Sequence, residues 1–254
     1  MSTPFALDGS TALVTGAGRG IGRAVAEALA AAGADIVAAS SGLDTEGGEV
    51  RRRVEEHGRR YEAHRVDFAD RDAVADFARR LAGRPEPVDI LVNNAGTISR
   101  APALDVAQDD WDRILQVNLS SQFLLTQALA RPMVDRGAGR IIFVASLLSF
   151  QGGINVPAYT ASKSAVAGLT KALANEWTAH GVTVNAIAPG YIATDNTTAL
   201  REDPERSRAI LERIPAGRWG RADDIAGAAV FLASPAAAYV SGAVLPVDGG
   251  WLGR

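Results

Sequence analysis

Tyr159 and Lys163 stand four residues apart in "PAYTASKSAVAG", and Ser146 closes the apolar run "IIFVAS" a short way upstream. Residues at that spacing share a face of a helix, so a helical segment would set the ammonium beside the phenol. A free phenol has a pKa of about 10, too high for base chemistry near neutrality. A cation about 4 Å away, at an effective dielectric near 20, supplies roughly 4 kcal/mol. That would lower the phenol by up to about three pKa units before desolvation takes part of it back. The expectation is a tyrosine able to move a proton. By spacing alone the commoner arrangement is a lysine stem lying along a surface tyrosine. Ser146 and a glycine loop near the start of the chain turn the reading toward chemistry.

That loop lies in "TALVTGAGRGIGRAVAEALAAAGADIVAAS", which reads as strand, glycine turn, helix and second strand. Gly16, Gly18, Gly20 and Gly22 let the backbone turn tightly and bring a pyrophosphate to the helix N-terminus, where free N–H groups favour an anion. Glycines after a strand also suit any tight turn, and it is the order of elements that points to a dinucleotide. An acidic residue ending the second strand would bind a ribose 2′-hydroxyl. Here the position carries Ser40 and Ser41, with Asp44 farther along, while Arg19 inside the loop could meet a 2′-phosphate. The reading is NAD(H) or NADP(H), unresolved between them.

The elements that must hold these residues follow from hydrophobic periodicity. Short branched runs ("TALVTG", "ADIVAAS", "YEAHRVD", "VDILVNN", "GRIIFVAS", "GVTVNAIAP", "GAVLPVDGG") alternate with stretches of helical period such as "WDRILQVNLSSQFLLTQALARPMVDRG". Alternation implies βαβ units, and nearly continuous apolar strands imply a parallel sheet covered on both faces. The fold expected is α/β: a single doubly wound, Rossmann-type domain over residues 1–254. A charged, proline-interrupted excursion at about 194–223 would cover the substrate.

Composition narrows the chemistry. There is no cysteine, so disulfides and thiolate sites are excluded. His57, His64 and His180 form no ligand-spaced cluster, so no metal is expected. A net charge of −3 argues against nucleic acid and anionic lipid. The arginines of "EVRRRVEEHGRR" are interleaved with Glu49, Glu55 and Glu56, as on a solvated helix face. No apolar run is long enough to span a bilayer, and "MSTPFALDGS" lacks the pattern of a signal peptide. A cytoplasmic protein is expected.

"TGAGRGIG" resembles the T-G-x-x-x-G-x-G loop of the classical short-chain dehydrogenases/reductases. Further segments match that family in order: Asp67 after the third strand, "NNAG" at 93–96, Asn118 in "QVNLSS", Ser146, the "YTASK" box and "PGYIAT" at 189–194. The resemblance implies a catalytic set of Asn118, Ser146, Tyr159 and Lys163. Tyr159 would exchange a proton with the substrate oxygen, and Ser146 would hydrogen-bond that oxygen. Lys163 would lower the tyrosine pKa and hold the nicotinamide ribose, and Asn118 would keep a relay water. The cofactor would be held by Gly16, Arg19, Gly20, Ile21, Gly22, Ser40, Asp67, Asn93, Ala95, Gly96, Tyr159, Lys163, Pro189, Gly190, Ile192 and Thr194. Asn93 would in addition brace its strand. The family also implies a homotetramer, in line with the preference of oligomers for closed symmetry. The apolar end "VDGGWLGR" is expected at a subunit contact.

From about residue 140 onward the chain is similar to the sugar-acid dehydrogenases of that family, through "LLSFQGGINVPAYTASKS", "ANEWTAHGVTVNAIAPGYIATDNTTALR" and "RIPAGRWG". The resemblance implies a keto-deoxy sugar acid such as 2-dehydro-3-deoxy-D-gluconate. These enzymes are usually NAD-linked, and "VAASSGLDTEGG" departs from them. A carboxylate calls for a cation, best an arginine fork. Arg100 is the first candidate, followed by Arg201 and Arg206. Ser146, Phe150, Gln151 and Tyr159 would line the substrate pocket. Asn155 stands where a basic residue would suit an acid better. Two alternatives are a 3-oxoacyl-[acyl-carrier-protein] reductase and a catalytically silent NAD(P)-sensing protein, though the latter typically lacks the tyrosine or lysine that this chain has.

Overall fold

The computed structural model describes residues 3–45 and 48–254. Met1 and Ser2 of the opening segment, and Glu46 and Gly47 of the stretch after Asp44, lie outside them. Seven strands form one sheet: β1 (Thr11–Thr15), β2 (Asp35–Ser40), β3 (Tyr61–Arg65), β4 (Ile90–Asn93), β5 (Gly139–Val144), β6 (Val182–Pro189) and β7 (Val244–Val247). Each coincides with one of the seven branched runs. All neighbours pair in parallel, in the order β3-β2-β1-β4-β5-β6-β7. The order reverses between β1 and β4, and in such sheets ligands bind beyond the strand C-termini at that crevice.

The helices are α1 (Gly20–Ala31), α2 (Gly48–Glu56), α3 (Arg71–Ala82), α4 (Gln108–Leu115), α5 (Ser121–Arg136), α6 (Pro157–Trp177), α7 (Thr198–Glu202), α8 (Pro204–Arg213) and α9 (Asp223–Ala233). Side chains alternate across the strands, so each strand feeds two cores. Leu13, Leu91, Ile141 and Phe143 pack with α3, α5 and α6. Val14, Val92, Ile142 and Val144 pack with α1 and α9 on the other face. This doubly covered parallel sheet is the Rossmann-type α/β fold expected.

Two departures bear on the site. The long periodic segment from Trp111 to Arg136 is not one helix, because a π-helical turn over Gln116–Ser120 interrupts it at Asn118. Such turns break the regular hydrogen-bond ladder and concentrate at functional positions. The excursion after β6 is helical rather than a loop. Asp203 caps α8 by accepting from the N–H groups of Glu205 and Arg206, with Pro204 in the first helical position.

Candidate active site

The glycine turn joins β1 to α1. Gly16 and Gly20 have φ of 66° and 54°, a region open to glycine at little cost. A Cβ on Gly22 would stand 2.2 Å from the Gly16 carbonyl oxygen, so this helix start packs against the turn only as glycine. α1 begins without a side-chain cap and without an acidic residue in its first turn. Its free N–H groups and positive end are therefore available to an anion. A cavity of about 440 Å³ lies over them, lined by Gly16, Arg19, Gly20, Ile21, Gly22, Ser40, Ser41, Asp67, Asn94, Ala95, Gly96 and Thr194 among others. The donor set, the glycine cradle and the size all fit a dinucleotide. Asp67 accepts the Ala69 N–H with one carboxylate oxygen, 2.9 Å. Arg19 pairs with Asp195 at 3.0 Å, with both side chains largely exposed.

Asn94 is a residue that sequence reasoning missed. Its amide donates to the carbonyls of Thr15 and Gly16 at 2.9 and 3.2 Å, and Thr15 Oγ1 accepts from the Asn94 and Ala95 N–H groups. β4 thereby braces the glycine turn. Its neighbour Asn93 is fully buried and donates to Thr126 Oγ1 at 2.8 Å, which ties β4 to α5. Asn93 is absent from the residues lining the cavities, unlike the cofactor contact expected of it.

A second hollow is continuous in its residues with the first, sharing Ile21, Asn94, Gly96 and Thr194 and adding Ser146, Tyr159, Lys163, Pro189, Gly190 and Ile192. The structure thus brings together residues far apart in the chain, such as Ile21 and Thr194, which are 173 positions apart. α6 opens with Pro157 and presents Tyr159 and Lys163 on one face, with Lys163 Nζ 5.7 Å from the phenol ring centre. Lys163 is 3% exposed, donates to the Val144 carbonyl at 2.6 Å, and is lowered by burial to a pKa of about 8. Tyr159 differs from expectation. Burial raises its pKa above the ordinary phenol value, opposed by the hydrogen bond with Ser146 and then by the charge of Arg100. Desolvation outweighs the Ser146 hydrogen bond and the Arg100 charge, so the phenol holds its proton more tightly than a free one. As it stands, the side chain is a proton donor.

Ser146 follows β5 by two residues and caps the short 3₁₀ turn Leu147–Ser149, its Oγ accepting from the Leu148 N–H at 3.2 Å. It also shares a hydrogen bond with the Tyr159 hydroxyl, which a substrate oxygen set between the two would take over. Ser149 Oγ donates to the Lys163 carbonyl and Ser164 Oγ to the Leu148 carbonyl, so two further serines lock this turn to α6. Asn118 is fully buried. It accepts the Thr97 N–H and donates to the Thr97 carbonyl and to Ser162 Oγ, joining the loop after β4 to α6. No metal-ligating cluster occurs among the described residues.

Beyond Ser146 and Tyr159 opens a cavity of about 660 Å³, within the range of small-molecule sites. Arg100, Gln151, Asn155 and Arg206 line it as residues weighed in the sequence, and Tyr191, Arg213 and Trp251 as residues not weighed there as pocket residues. Two candidates fall outside. Phe150 follows the 3₁₀ turn, is 51% exposed and is not among the residues lining the cavity. Arg201 is not among the lining residues either, and donates to Thr194 O and Thr198 Oγ1. Arg100 spends one donor on the Asn196 carbonyl, 2.8 Å. Asn155 has φ of 61°, where asparagine is tolerated far better than most residues, and its carbonyl accepts from the Ala101 N–H. Its identity answers to the backbone. Trp251 is buried within its own chain, against Leu147, Ile210 and Ile214.

The sequence matches the family model described as enoyl-(acyl carrier protein) reductase over residues 16–252. It is 57% identical over 254 residues to a 2-dehydro-3-deoxy-D-gluconate 5-dehydrogenase of Pseudoalteromonas atlantica, covering 100% of both chains. It is 56% identical over 250 residues to the Bacillus subtilis protein of the same name, covering 98% of this chain and 97% of that one. A solved structure from Agrobacterium tumefaciens, described as a 2-deoxy-D-gluconate 3-dehydrogenase with bound NADP, superposes with a TM-score of 0.92 at 54% identity, covering 99% of this chain and 100% of that one. Agreement of this extent in sequence and in backbone leaves one assignment: the chain belongs to the short-chain dehydrogenase/reductase family, enzymes that use NAD(P) to interconvert a carbinol and a carbonyl.

Proposed function

We propose that this protein is an NADP(H)-accepting dehydrogenase acting on a secondary alcohol or ketone of a keto-deoxy sugar acid such as 2-dehydro-3-deoxy-D-gluconate. The carrying observation is the substrate cavity: beside the proton donor it is lined by Arg100, Arg206 and Arg213, and no carboxylate is among its described lining residues. A small acid fits such a charge balance. The names of the relatives support the same substrate class.

The nucleotide would lie along Gly16–Gly22, Asn94–Gly96 and Pro189–Thr194, with Lys163 on the ribose and Asp67 toward the base. When bound, its nicotinamide supplies or accepts the hydride. In reduction, Tyr159 passes its hydroxyl proton to the substrate oxygen as the carbonyl carbon gains the hydride, while Ser146 holds that oxygen. In oxidation the proton returns to the phenolate. Lys163 ties α6 to β5 through the Val144 carbonyl and Asn118 ties it to the loop after β4, which supports Tyr159 in register with Ser146. Neutral Ser40 and Ser41 at the end of β2, with Arg19 at the cavity mouth, favour a 2′-phosphate over a free 2′-hydroxyl.

Purified protein, assayed with NADP(H) and NAD(H), should turn over 2-dehydro-3-deoxy-D-gluconate or its 5-keto product. Activity confined to a β-ketoacyl thioester would replace this reading with the acyl reductase. Absence of turnover on both, with nucleotide binding intact, would favour a silent sensor. No helix among the described residues is long and apolar enough to cross a membrane. The protein is proposed to work in the cytoplasm as a homotetramer.

A further inference from the structure

The lid helix α8 ends on Arg213, whose guanidinium carbon sits 4.1 Å from the centre of the Trp251 ring. Trp251 is itself immobilised. It is 4% exposed, its ring nitrogen donates to Gln151 Oε1 at 3.3 Å, and the Tyr191 ring packs on it at 4.7 Å. A guanidinium placed over an aromatic ring is held there by the ring while its N–H donors can still reach an anion. No ion pair engages Arg213 or Arg206 among the described residues. Both line the substrate cavity, and both exert their charge on the Tyr191 hydroxyl, whose pKa is raised by burial and pulled down by Arg213 and then Arg206. All three side chains line the one cavity.

The C-terminus of a helix ordinarily disfavours an anion, since its unpaired carbonyls carry partial negative charge. Here Arg254 donates to the carbonyls of Glu212 and Arg213 at 3.1 Å, which offsets that field where an acid would dock. Arg100 is less suited, with one donor committed to Asn196. Arg201 lies outside the cavity lining.

Building on the sugar-acid reading above, we propose that Arg213, held over the Trp251 ring, is the residue that selects for the substrate carboxylate, with Arg206 and Tyr191 lining the cavity beside it. The C-terminal turn then acts on specificity by positioning Arg213.

The test compares 2-dehydro-3-deoxy-D-gluconate with its neutral primary amide, in wild type, Arg213→Gln and Arg213→Lys. Losing a charge-assisted fork predicts that the acid-over-amide ratio of kcat/KM falls about 10- to 100-fold in Arg213→Gln. The loss should come chiefly through KM for the acid, with only part recovered by Arg213→Lys. An acid-over-amide ratio within about threefold of wild type in Arg213→Gln would overturn the assignment, as would an equal loss on both substrates. Arg213→Met, which keeps the apolar stem on Trp251, serves as the second variant, with NADPH fluorescence titration reporting an intact fold. Wild type that fails to turn over any sugar acid would sink the substrate class itself, a result separate from failure of Arg213 alone.

Discussion

At the scale of the residue, Tyr159 and Lys163 are both shifted by the same cause, with opposite sign. Burial raises the phenol and lowers the ammonium, since each is thereby pushed toward its neutral form. Tyr159→Phe removes the transferable proton and little else. Turnover should fall at least about 100-fold while NADPH affinity, read by fluorescence, stays within a few-fold. Near-normal turnover would refute its role. Lys163 makes a stability prediction. In the unfolded chain it keeps its proton up to about pH 10.5, and in the folded protein only to about 8. Between those values unfolding takes up a proton, so this lysine's contribution to stability rises with pH. Relative to Lys163→Met, wild type should gain up to about 3 kcal/mol between pH 8 and 10.5 in urea titrations of the nucleotide-free protein. A flat difference across that window would contradict the burial argument.

At the scale of the element, the cofactor cradle depends on how closely α1 approaches the turn before it. Gly22→Ala would drive its methyl into the Gly16 carbonyl at 2.2 Å, so the turn must open. NADPH binding should weaken at least about tenfold, as expected for a displaced helix N-terminus and a strained backbone. The segment after β6 is tied to this cradle by Arg19 and Asp195, an exposed pair of the kind worth roughly 0–1 kcal/mol. Such a pair gives way easily to a phosphate. Arg19→Ser should lower the NADP-over-NAD preference about tenfold, whereas Asp195→Asn should raise NADP(H) affinity by a few-fold. Measured dissociation constants for both nucleotides decide it, and an unchanged preference in Arg19→Ser would remove Arg19 from cofactor choice. The strands were fully legible, because each is a short branched run between turn residues. Helix α8 was not recognised although Asp203 and Pro204 are ordinary start signals, since the charge of the segment masked its single buried position, Ile210. The π turn at Asn118 carries no periodicity signal. Its wider ladder is selected by what Asn118 must reach on Thr97 and Ser162, contacts between distant segments.

At the scale of the whole molecule, β7 is the last strand of the sheet, with Val244, Leu245 and Val247 only partly covered. An edge with exposed apolar side chains is a liability in a lone chain, and a symmetric partner would cover it. Light scattering should give a mass near four times the 26.5 kDa chain. A monomeric mass would remove the proposed tetramer. The end of the chain does not wait for a partner, however. Trp251 buries itself beneath Arg213 in the same subunit, where the sequence suggested only an apolar tail for a neighbour.

The sequence by itself determined the order and type of the strands and the glycine turn, which depend on local periodicity and on residue types set within one or two turns of backbone. The set Asn118, Ser146, Tyr159 and Lys163 was implied by the resemblance of its segments to the short-chain dehydrogenases/reductases. Only the tertiary structure decided the direction of the Tyr159 shift, because desolvation depends on everything packed around the phenol. The same is true of the exclusion of Phe150 and Arg201 from the cavity and of Asn94 as the brace of the glycine turn. The arginines that share the substrate cavity come from two stretches of chain: Arg100 from the loop after β4, and Arg206 and Arg213 from the first turn and the last residue of α8. The helix alone relates Arg206 to Arg213, but their meeting with Arg100 is a property of chain crossings, which no local pattern of residues encodes.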